Sequence, residues 1–298
     1  SLIITFFSAH LLTAQVDHPL SNHEFVVAFG SCNKQDKPQP MWDAIERQKP
    51  DLWIWLGDNI YGDTENMDLL KKKYDQQKSN PAYADFRSKV PIYGIWDDHD
   101  YGVNDGDRTY PKKAESRELL FEFLDVPADN PARKHQGAYQ SYLIDGGEGR
   151  KIKLILLDGR YFRDLLEADK QSKQRYLPNE EGDLLGEDQW AFLEQELRHS
   201  DADVHLIACG IQFIPTQHYY EKWSNFPKSR KRFFDLLSET KPKCPVLLSG
   251  DRHIAEVSAT EVENYSHPIY EITASGMTHT WSNKKAEEAN QFRQGKLV

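Results

Sequence analysis

The sequence of 298 residues predicts a layered α/β domain. Apolar runs rich in Val, Ile, Leu and Trp recur between segments whose apolar residues follow helical spacing, the pattern of strands alternating with helices. In the later part of the chain these runs come closer together, which argues for some antiparallel sheet. Apolar residues make up 39% and charged residues 28%, enough for a real core and against disorder or a fibrous class. No repeat, Pro/Gly linker or low-complexity segment interrupts the chain, so it reads as one domain.

The first segment, Ser1 to Gln15, is apolar and uncharged apart from His10. It is too short to span a bilayer. Its small and polar ending fits the h-region of a secretory signal peptide with cleavage after Ala14, the alternative being a buried first helix. The expectation is a signal-peptide remnant over 1–15, a domain over 16–298, and an exported protein, periplasmic or extracellular, with no membrane span in the mature chain. Strands are expected at Phe25–Phe29, Leu52–Leu56, Pro91–Trp96, Tyr139–Ile144, Lys151–Leu157, Val204–Cys209, Val246–Ser249, Ala255–Thr260 and Ile269–Ala274. Amphipathic helices are expected at Met41–Gln48, Ala114–Leu124, Asp188–His199 and Ser229–Ser238. Gly186-Glu187-Asp188 gives the third of these a start, with acids where the helix dipole favours them. Asp63–Ser79 is charged and reads as a solvated helix or loop. The last residues, Gln291 to Val298, read as the start of a strand that stops short.

Charge narrows the function. Lys plus Arg is 37 and Asp plus Glu is 47, a net charge of -10. That argues against a general nucleic-acid or anionic-membrane binder. Anionic substrates stay possible if bound cations reverse the local charge. Three cysteines cannot build a disulfide scaffold. Cys209, inside Leu-Ile-Ala-Cys, reads as core; Cys244 gets no role; a Cys209–Cys244 disulfide stays open in an exported protein.

Four expected strands run into polar clusters: Gly30-Ser31-Cys32-Asn33, Gly57-Asp58-Asn59-Ile60-Tyr61, Asp97-Asp98-His99-Asp100 followed by Asn104 and Asp105, and Gly250-Asp251-Arg252-His253. Ligands of α/β sheets gather at the carboxyl ends of strands. Three carboxylates and an imidazole in one run repel one another unless a cation neutralises them. The bland alternative, a solvated acidic turn, sits poorly after Pro-Ile-Tyr-Gly-Ile-Trp. Tyr61, three residues after Asp58, is a second candidate ligand from that turn. Asp251 and His253 fall on one side of an extended segment. A thiol at a strand end suits a thiolate ligand, although a lone Cys is often a buried small hydrophobe. Other hydrolytic signatures are missing: no Gly-x-Ser-x-Gly elbow, no P-loop, no His-Glu-x-x-His and no EF-hand spacing.

Taken in order, Gly-Ser-Cys, Gly-Asp-Asn-Ile-Tyr, Trp-Asp-Asp-His-Asp with Asn104, and Ser-Gly-Asp-Arg-His resemble the PhoD-like alkaline phosphatases, a branch of the calcineurin-like metallophosphoesterases. Leu-Asp-Gly-Arg-Tyr-Phe-Arg (157–163), Gly-Glu-Asp-Gln-Trp-Ala-Phe-Leu (186–193) and Ser-Gly-Met-Thr-His-Thr (275–280) extend the resemblance over nearly all of the chain after the leader. The resemblance implies two mixed β-sheets packed face to face and flanked by helices, and hydrolysis of phosphate esters at a cluster of iron and calcium. It implies that Cys32 and Tyr61 hold ferric iron, that Asp58 bridges it to calcium, that Asp98 and Asp251 lie on the calcium side, and that His253 completes the cluster. His99 would be the catalytic group, and Asn104 and Arg160 would contact the phosphate. The bland alternative for Arg160 is a surface salt bridge to Asp164. The chain departs from the family in three places. Cys209-Gly210-Ile211-Gln212, with His218 further on, stands where a middle His motif is usual; a final strand is expected beyond Gly295; and no β-domain precedes Gly30.

The expected function is therefore metal-dependent hydrolysis of phosphomonoesters or phosphodiesters, with sugar phosphates, nucleotides, phospholipids or teichoic-type diesters as substrates. The loop Thr216–Lys228, with Tyr219, Tyr220 and Trp223, forms either an aromatic wall over the site or core packing. Manganese or zinc in place of iron and calcium is the nearest alternative. A non-catalytic calcium-binding module explains the carboxylates but not Cys32, Tyr61 and His99 in the same set. A glycosidase with two carboxylates would need no metal.

Overall fold

The computed structural model describes residues 2–4, 24–171, 175–281 and 290–297. Of the expected leader, Leu2–Ile4 falls within this range and pairs in parallel with Phe25–Val27; the cleavage site after Ala14 lies outside the described residues. Among the described residues, no helix is long and apolar enough to cross a membrane.

Two sheets carry the fold. The smaller is parallel throughout and runs β1 (Leu2–Ile4), β2 (Phe25–Gly30), β3 (Leu52–Leu56), β4 (Ile92–Ile95) in spatial order. The larger is built from β5 (Gln140–Asp145), β6 (Lys151–Leu156), β9 (Val204–Ala208), β10 (Pro245–Ser249), β11 (Ala255–Thr260), β12 (Ile269–Ala274) and β13 (Arg293–Gln294). Its order is β13-β11-β12-β10-β9-β6-β5, while β7 (Glu167–Ala168) and β8 (Tyr176–Leu177) form a separate ribbon. It is mixed: β6, β9, β10 and β12 are parallel, and β5, β11 and β13 are antiparallel to their neighbours. The expected late antiparallel pairing is thus present. The segment that read as a truncated strand pairs through Arg293 and Gln294 with Ser258 and Val257.

Alternation along the strands explains how the sheets meet. In β6, Ile152, Leu154 and Leu156 join one core while Ile155 and Leu157, just past the strand, join another. The same split separates Leu206 and Ala208 from Ile207 in β9, and Leu248 from Leu247 in β10. The first core also holds Val27, Ile54 and Ile95 of the small sheet, so the two sheets share one interior. The second core is closed by α6 (Glu187–Arg198) and α7 (Pro227–Thr240), through Trp190, Leu193, Phe233 and Leu237. On the outer face of the small sheet, Trp53 and Trp55 meet Trp42 of α1 (Met41–Glu46) at ring-centroid distances of 5.1 and 5.5 Å. Trp55 also packs on Tyr83 of α3 (Pro81–Lys89) and Phe123 of α5 (Lys113–Phe123). Both faces of β3 are therefore covered, which is why Leu-Trp-Ile-Trp-Leu reads as a continuous apolar run rather than an alternating one. Burial of each such side chain contributes about 2–3 kcal/mol.

One helix settles an open reading, and one was not expected. Met67–Lys78 within the charged stretch is α2, started by the Asn66 side chain, which accepts from Leu69 N at 3.1 Å. α3 begins on Asn80, whose Oδ1 accepts from Ala82 N and Tyr83 N, with Pro81 in the first turn. Cys209 and Cys244 are free thiols, so the disulfide left open by the sequence is not formed.

Candidate metal centre

Strand register brings the polar clusters to one edge. Gly30 lies beside Trp55 and Leu56 beside Ile95 in the small sheet. Ala208 lies beside Leu248 and Ser249 beside Thr273 in the large one. The residues just past these ends therefore face a common space. Cys32, Asp58, Asp251 and His253 all adopt positive φ, at 58, 50, 63 and 55°. Such left-handed non-glycine residues are uncommon and persist where the surroundings hold them. Gly57 (φ 91°) permits the turn, since a Cβ there would sit 2.3 Å from that of Asp97. At Gly210, where a middle His motif was looked for, a Cβ would sit 2.3 Å from Asp97 Oδ1. The backbone itself walls the site at that point.

Asp98 opens the short helix α4 (Asp98–Tyr101). Asp100 ties the loops together: its carboxylate accepts from Asp97 N at 2.7 Å and from Asp58 N and Asn59 N at 3.2 Å. It holds Asp58 and Asp98 in position without joining their space.

Four sets of donor atoms each lie within 4.8 Å of one another: Cys32 with Asp58 and His253, Asp58 with Asp98 and His99, Asp97 with Glu221 and Asp251, and Asp98 with Asp105 and Glu221. Asp58 belongs to the first two sets, one containing the thiol and one containing Asp98. The Cys32 thiol donates to Asp58 Oδ2 at 3.3 Å and accepts from Ser275 Oγ at 3.0 Å. Burial, then the carboxylates of Asp58 and Asp251, push that thiol well up. Burial and the neighbouring Asp98 and Asp97 push Asp58 well up too. Burial pushes Asp251 up to about 7 despite Arg252. Asp98 behaves oppositely: burial works against ionisation, but Arg160, His99 and the Asp105 N–H hold it down at about 2.

Tyr61 OH lies 3.1 Å from His253 Nε2 and 3.0 Å from His279 Nε2. Burial, then Cys32, raises the phenol. Burial and then the neighbouring cationic groups lower His253 to about 3 and His279 to about 4, leaving both imidazoles neutral, the form that offers a lone pair. His99 lies 4.1 Å from Tyr61, ring to ring, and its Nδ1 is 2.6 Å from Asp63 Oδ1. Burial opposes its protonation, but Asp63 and Asp98 win and raise its pKa.

The two expected phosphate contacts fall differently. Asn104 is exposed, and its amide donates to Asp105 Oδ2 at 2.7 Å. Arg160 is wholly buried: its Nε donates to Asp97 Oδ1 at 2.8 Å and its Nη2 pairs with Glu221. The surface salt bridge to Asp164 is overturned, because Asp164 pairs with Arg108 at 2.8 Å. The Thr216–Lys228 loop divides. Trp223 is core, stacked on Phe213 at 4.7 Å, whereas Tyr220 stacks on Trp281 at 5.6 Å, and Trp281 stacks on His253 at 5.3 Å. An aromatic wall does flank the site, but Trp281 replaces Trp223 in it.

Glu221, His279, Asp63 and Ser275 were not assigned from sequence. His279 and Ser275 sit in Ser-Gly-Met-Thr-His-Thr, which was noted without a role. Glu221 was hidden among Tyr219 and Tyr220, a lone acid with no spacing to mark it.

The donors fit metal ions. Asp58, Asp97, Asp98, Asp251 and Cys32 are all buried or nearly so, and Asp97 Oδ2 and Glu221 Oε2 have no hydrogen-bond partner. Such a concentration of buried carboxylates is costly without cations. A thiol, a phenol and neutral imidazoles on one side, with carboxylates on the other, offer one softer and one harder set of donors.

Comparison with known proteins agrees with this architecture. The solved structure of PhoD superposes with a TM-score of 0.72 at 19% identity, covering 90% of this chain and 61% of that one. This chain thus spans less than two thirds of that relative. GAP50, the anchor in the inner membrane complex of Plasmodium, gives 0.53 at 12% identity, over 91% of this chain and 76% of its own. A dimetal phosphatase from Danio rerio gives 0.51 at 12% identity, over 86% and 89%. At these identities the likeness is one of fold. No curated protein matches the chain. Residues 25–296 match the family model described as PhoD-like phosphatase, and the chain therefore belongs to the PhoD-like phosphatase family.

Proposed function

We propose that this chain hydrolyses phosphate esters in a metal-dependent reaction. The observation that carries the reading is Asp58, a buried carboxylate shared by the Cys32–His253 donors and the Asp98–His99 donors. We assign ferric iron to Cys32, Asp58, Tyr61 and His253, and calcium to Asp58, Asp98 and Asp251, with manganese or zinc as the alternative pair. Ions held by these residues would supply charge neutralisation for a phosphate and would lower the pKa of a water toward neutrality.

The protein's own groups do the rest. Asp63 holds His99 at Nδ1 and favours the imidazolium, leaving Nε2–H to protonate the departing alcohol oxygen. Asp98 stays ionised because Arg160 lies close to it. Arg160 is thus a positioning residue, enclosed with Asp97 and Glu221. Asn104, on the exposed loop after α4, is the phosphate contact that can reach solvent. Tyr220 and Trp281 shield one side of the site. Export, drawn from the apolar first segment, completes the proposal. A calcium-binding module would have no use for a thiol, a phenol and a protonated imidazole around one carboxylate.

The test is a panel of monoesters and diesters on the purified chain, with metal content measured on the same sample. Hydrolysis that chelation abolishes and metal restores supports the reading. Calcium alone with no turnover of any ester refutes it, and turnover of glycosides in chelator would replace it.

A further inference from the structure

Beside Tyr61 a cleft of about 450 Å³ opens. Three lysines line it, Lys34, Lys72 and Lys73, in a chain whose net charge is -10. By contrast Lys71, Lys78, Lys89 and Lys151 each make an ion pair with a carboxylate. Lys71 and Lys72 are consecutive on α2, yet among the described residues only Lys71 meets an acid, Asp75. Lys73 Nζ donates to the carbonyls of Tyr61 at 2.9 Å and Gly62 at 2.6 Å, which anchors its positive charge on the loop that carries Tyr61. Lys34 Nζ stands 4.8 Å from the Tyr61 ring centroid. Two of the three lysines thus stand against Tyr61 or its loop, and Lys72 lines the same cleft.

The remaining lining adds hydrogen-bonding side chains, Gln35 and Gln76. Gln35 Oε1 accepts from Tyr61 N at 2.9 Å, which leaves its amide N–H groups for a ligand. Of the two acids on the wall, Asp63 is held by His99, and Asp36 is exposed. Leu69 is the one large apolar side chain among the lining residues.

We propose that this cleft is a subsite for a second phosphate group on the alcohol portion of the substrate, so that the enzyme prefers esters whose leaving alcohol is itself phosphorylated. The inference rests on the phosphoesterase reading and narrows its substrate class. Among the described residues none of the three ammonium groups forms an ion pair with a carboxylate; such groups attract a phosphate, and the attraction weakens with salt.

The experiment compares 1,3-propanediol bisphosphate with propyl phosphate on the metal-loaded chain, and calorimetric binding of propane-1,3-bisphosphonate with that of propylphosphonate. The expected kcat/KM ratio is about tenfold in favour of the bisphosphate. It should fall to about twofold or less in Lys72→Glu and Lys34→Ala, and shrink between 0.05 and 0.5 M salt as surface charges are screened. Lys72→Gln should lie between, and Lys71→Glu should leave the ratio unchanged. Turnover of both esters at a ratio near one, unmoved by Lys72→Glu, would overturn the subsite and leave the phosphoesterase reading standing. Turnover of neither, with tighter bisphosphonate binding that Lys72→Glu abolishes, would uphold the subsite and overturn the phosphoesterase reading. Neither turnover nor preferential binding would overturn both.

Discussion

Asp58→Asn should have opposite effects on the metal-free and metal-loaded protein. Without ions, Asp58 is buried with a carboxylate oxygen of Asp98 within 4.8 Å, and Asp97, Asp100 and Asp251 add to the repulsion. Two unit charges at that distance repel by about 3 kcal/mol at an effective dielectric of about 20. Several such neighbours together exceed what ionisation can sustain, so the carboxyl takes up a proton instead. Protonation caps the cost: an ordinary Asp held neutral at pH 7 costs about 4 kcal/mol relative to the unfolded chain. Asparagine removes that cost and tolerates the positive φ of 50°. After about 1–2 kcal/mol for imperfect hydrogen bonding of the amide, a gain of roughly 2–3 kcal/mol is left. For a chain of this size that corresponds to a melting temperature higher by about 4–6 °C. The sign follows from the raised pKa: the wild type loses stability as pH rises above the ordinary carboxylate range, so the gain should be gone before pH 4, where the amide's own cost should leave the variant slightly below wild type. With ions added, the wild type should stabilise and turn over, while Asp58→Asn should do neither. Thermal denaturation in chelator and with metal, at pH 4 and pH 7, measures all of this. A chelated variant that melts below wild type at pH 7, or a loaded variant with near-normal turnover, would refute the reasoning.

His99→Ala should slow alkyl phosphates by about 100-fold or more while costing nitrophenyl phosphate much less, because only the poor leaving group needs the proton. An equal loss on both would place His99 in metal positioning. Tyr61→Phe and Cys32→Ser should each shift or bleach a visible charge-transfer band of the isolated protein, read by absorption alongside iron content; a colourless, iron-free enzyme fully active with zinc or manganese would remove the iron assignment. His205 is buried in neutral form, its Nδ1 2.7 Å from Lys243 O and its Nε2 2.8 Å from Ser200 Oγ, and burial lowers its pKa. The unfolded chain then binds the extra proton, so stability should fall as pH drops through about 6.5. His205→Gln should flatten that fall in a denaturation series from pH 7.5 to 5.5; an unchanged slope would exclude His205 as its source.

Much of this architecture was legible because burial leaves a periodic mark. Leu-Trp-Ile-Trp-Leu could only be a strand covered on both faces, and Gly186-Glu187-Asp188 announced α6 one residue from its true start. α3 was overlooked even though Asn80-Pro81 is a capping signal, because its apolar residues, Tyr83 and Phe86, are few. At the site, the strand-end residues marked by the sequence lie in neighbouring donor sets: Cys32 and His253 with Asp58, Asp58 with Asp98, and Asp251 with Asp97 and Glu221. Arg160 was expected to contact phosphate and is instead locked between Asp97 and Glu221, because an arginine reads the same in either setting. Glu221 and Asp63 act through partners distant in sequence, Arg160 and His99, and local spacing carries no trace of such pairs.

The centre is stitched from both sheets, and this sets an order of events. Cys32 and His253, which share a donor set, are 221 positions apart. During synthesis the first three clusters emerge with their donors facing nothing, and the thiol half of the site has no imidazole until the last third of the chain has been made. Ion capture is then a late step of assembly, a clasp that shuts after the small and large sheets have docked. Metal present from the start of refolding should leave the early phases of a stopped-flow trace untouched and alter only the final one.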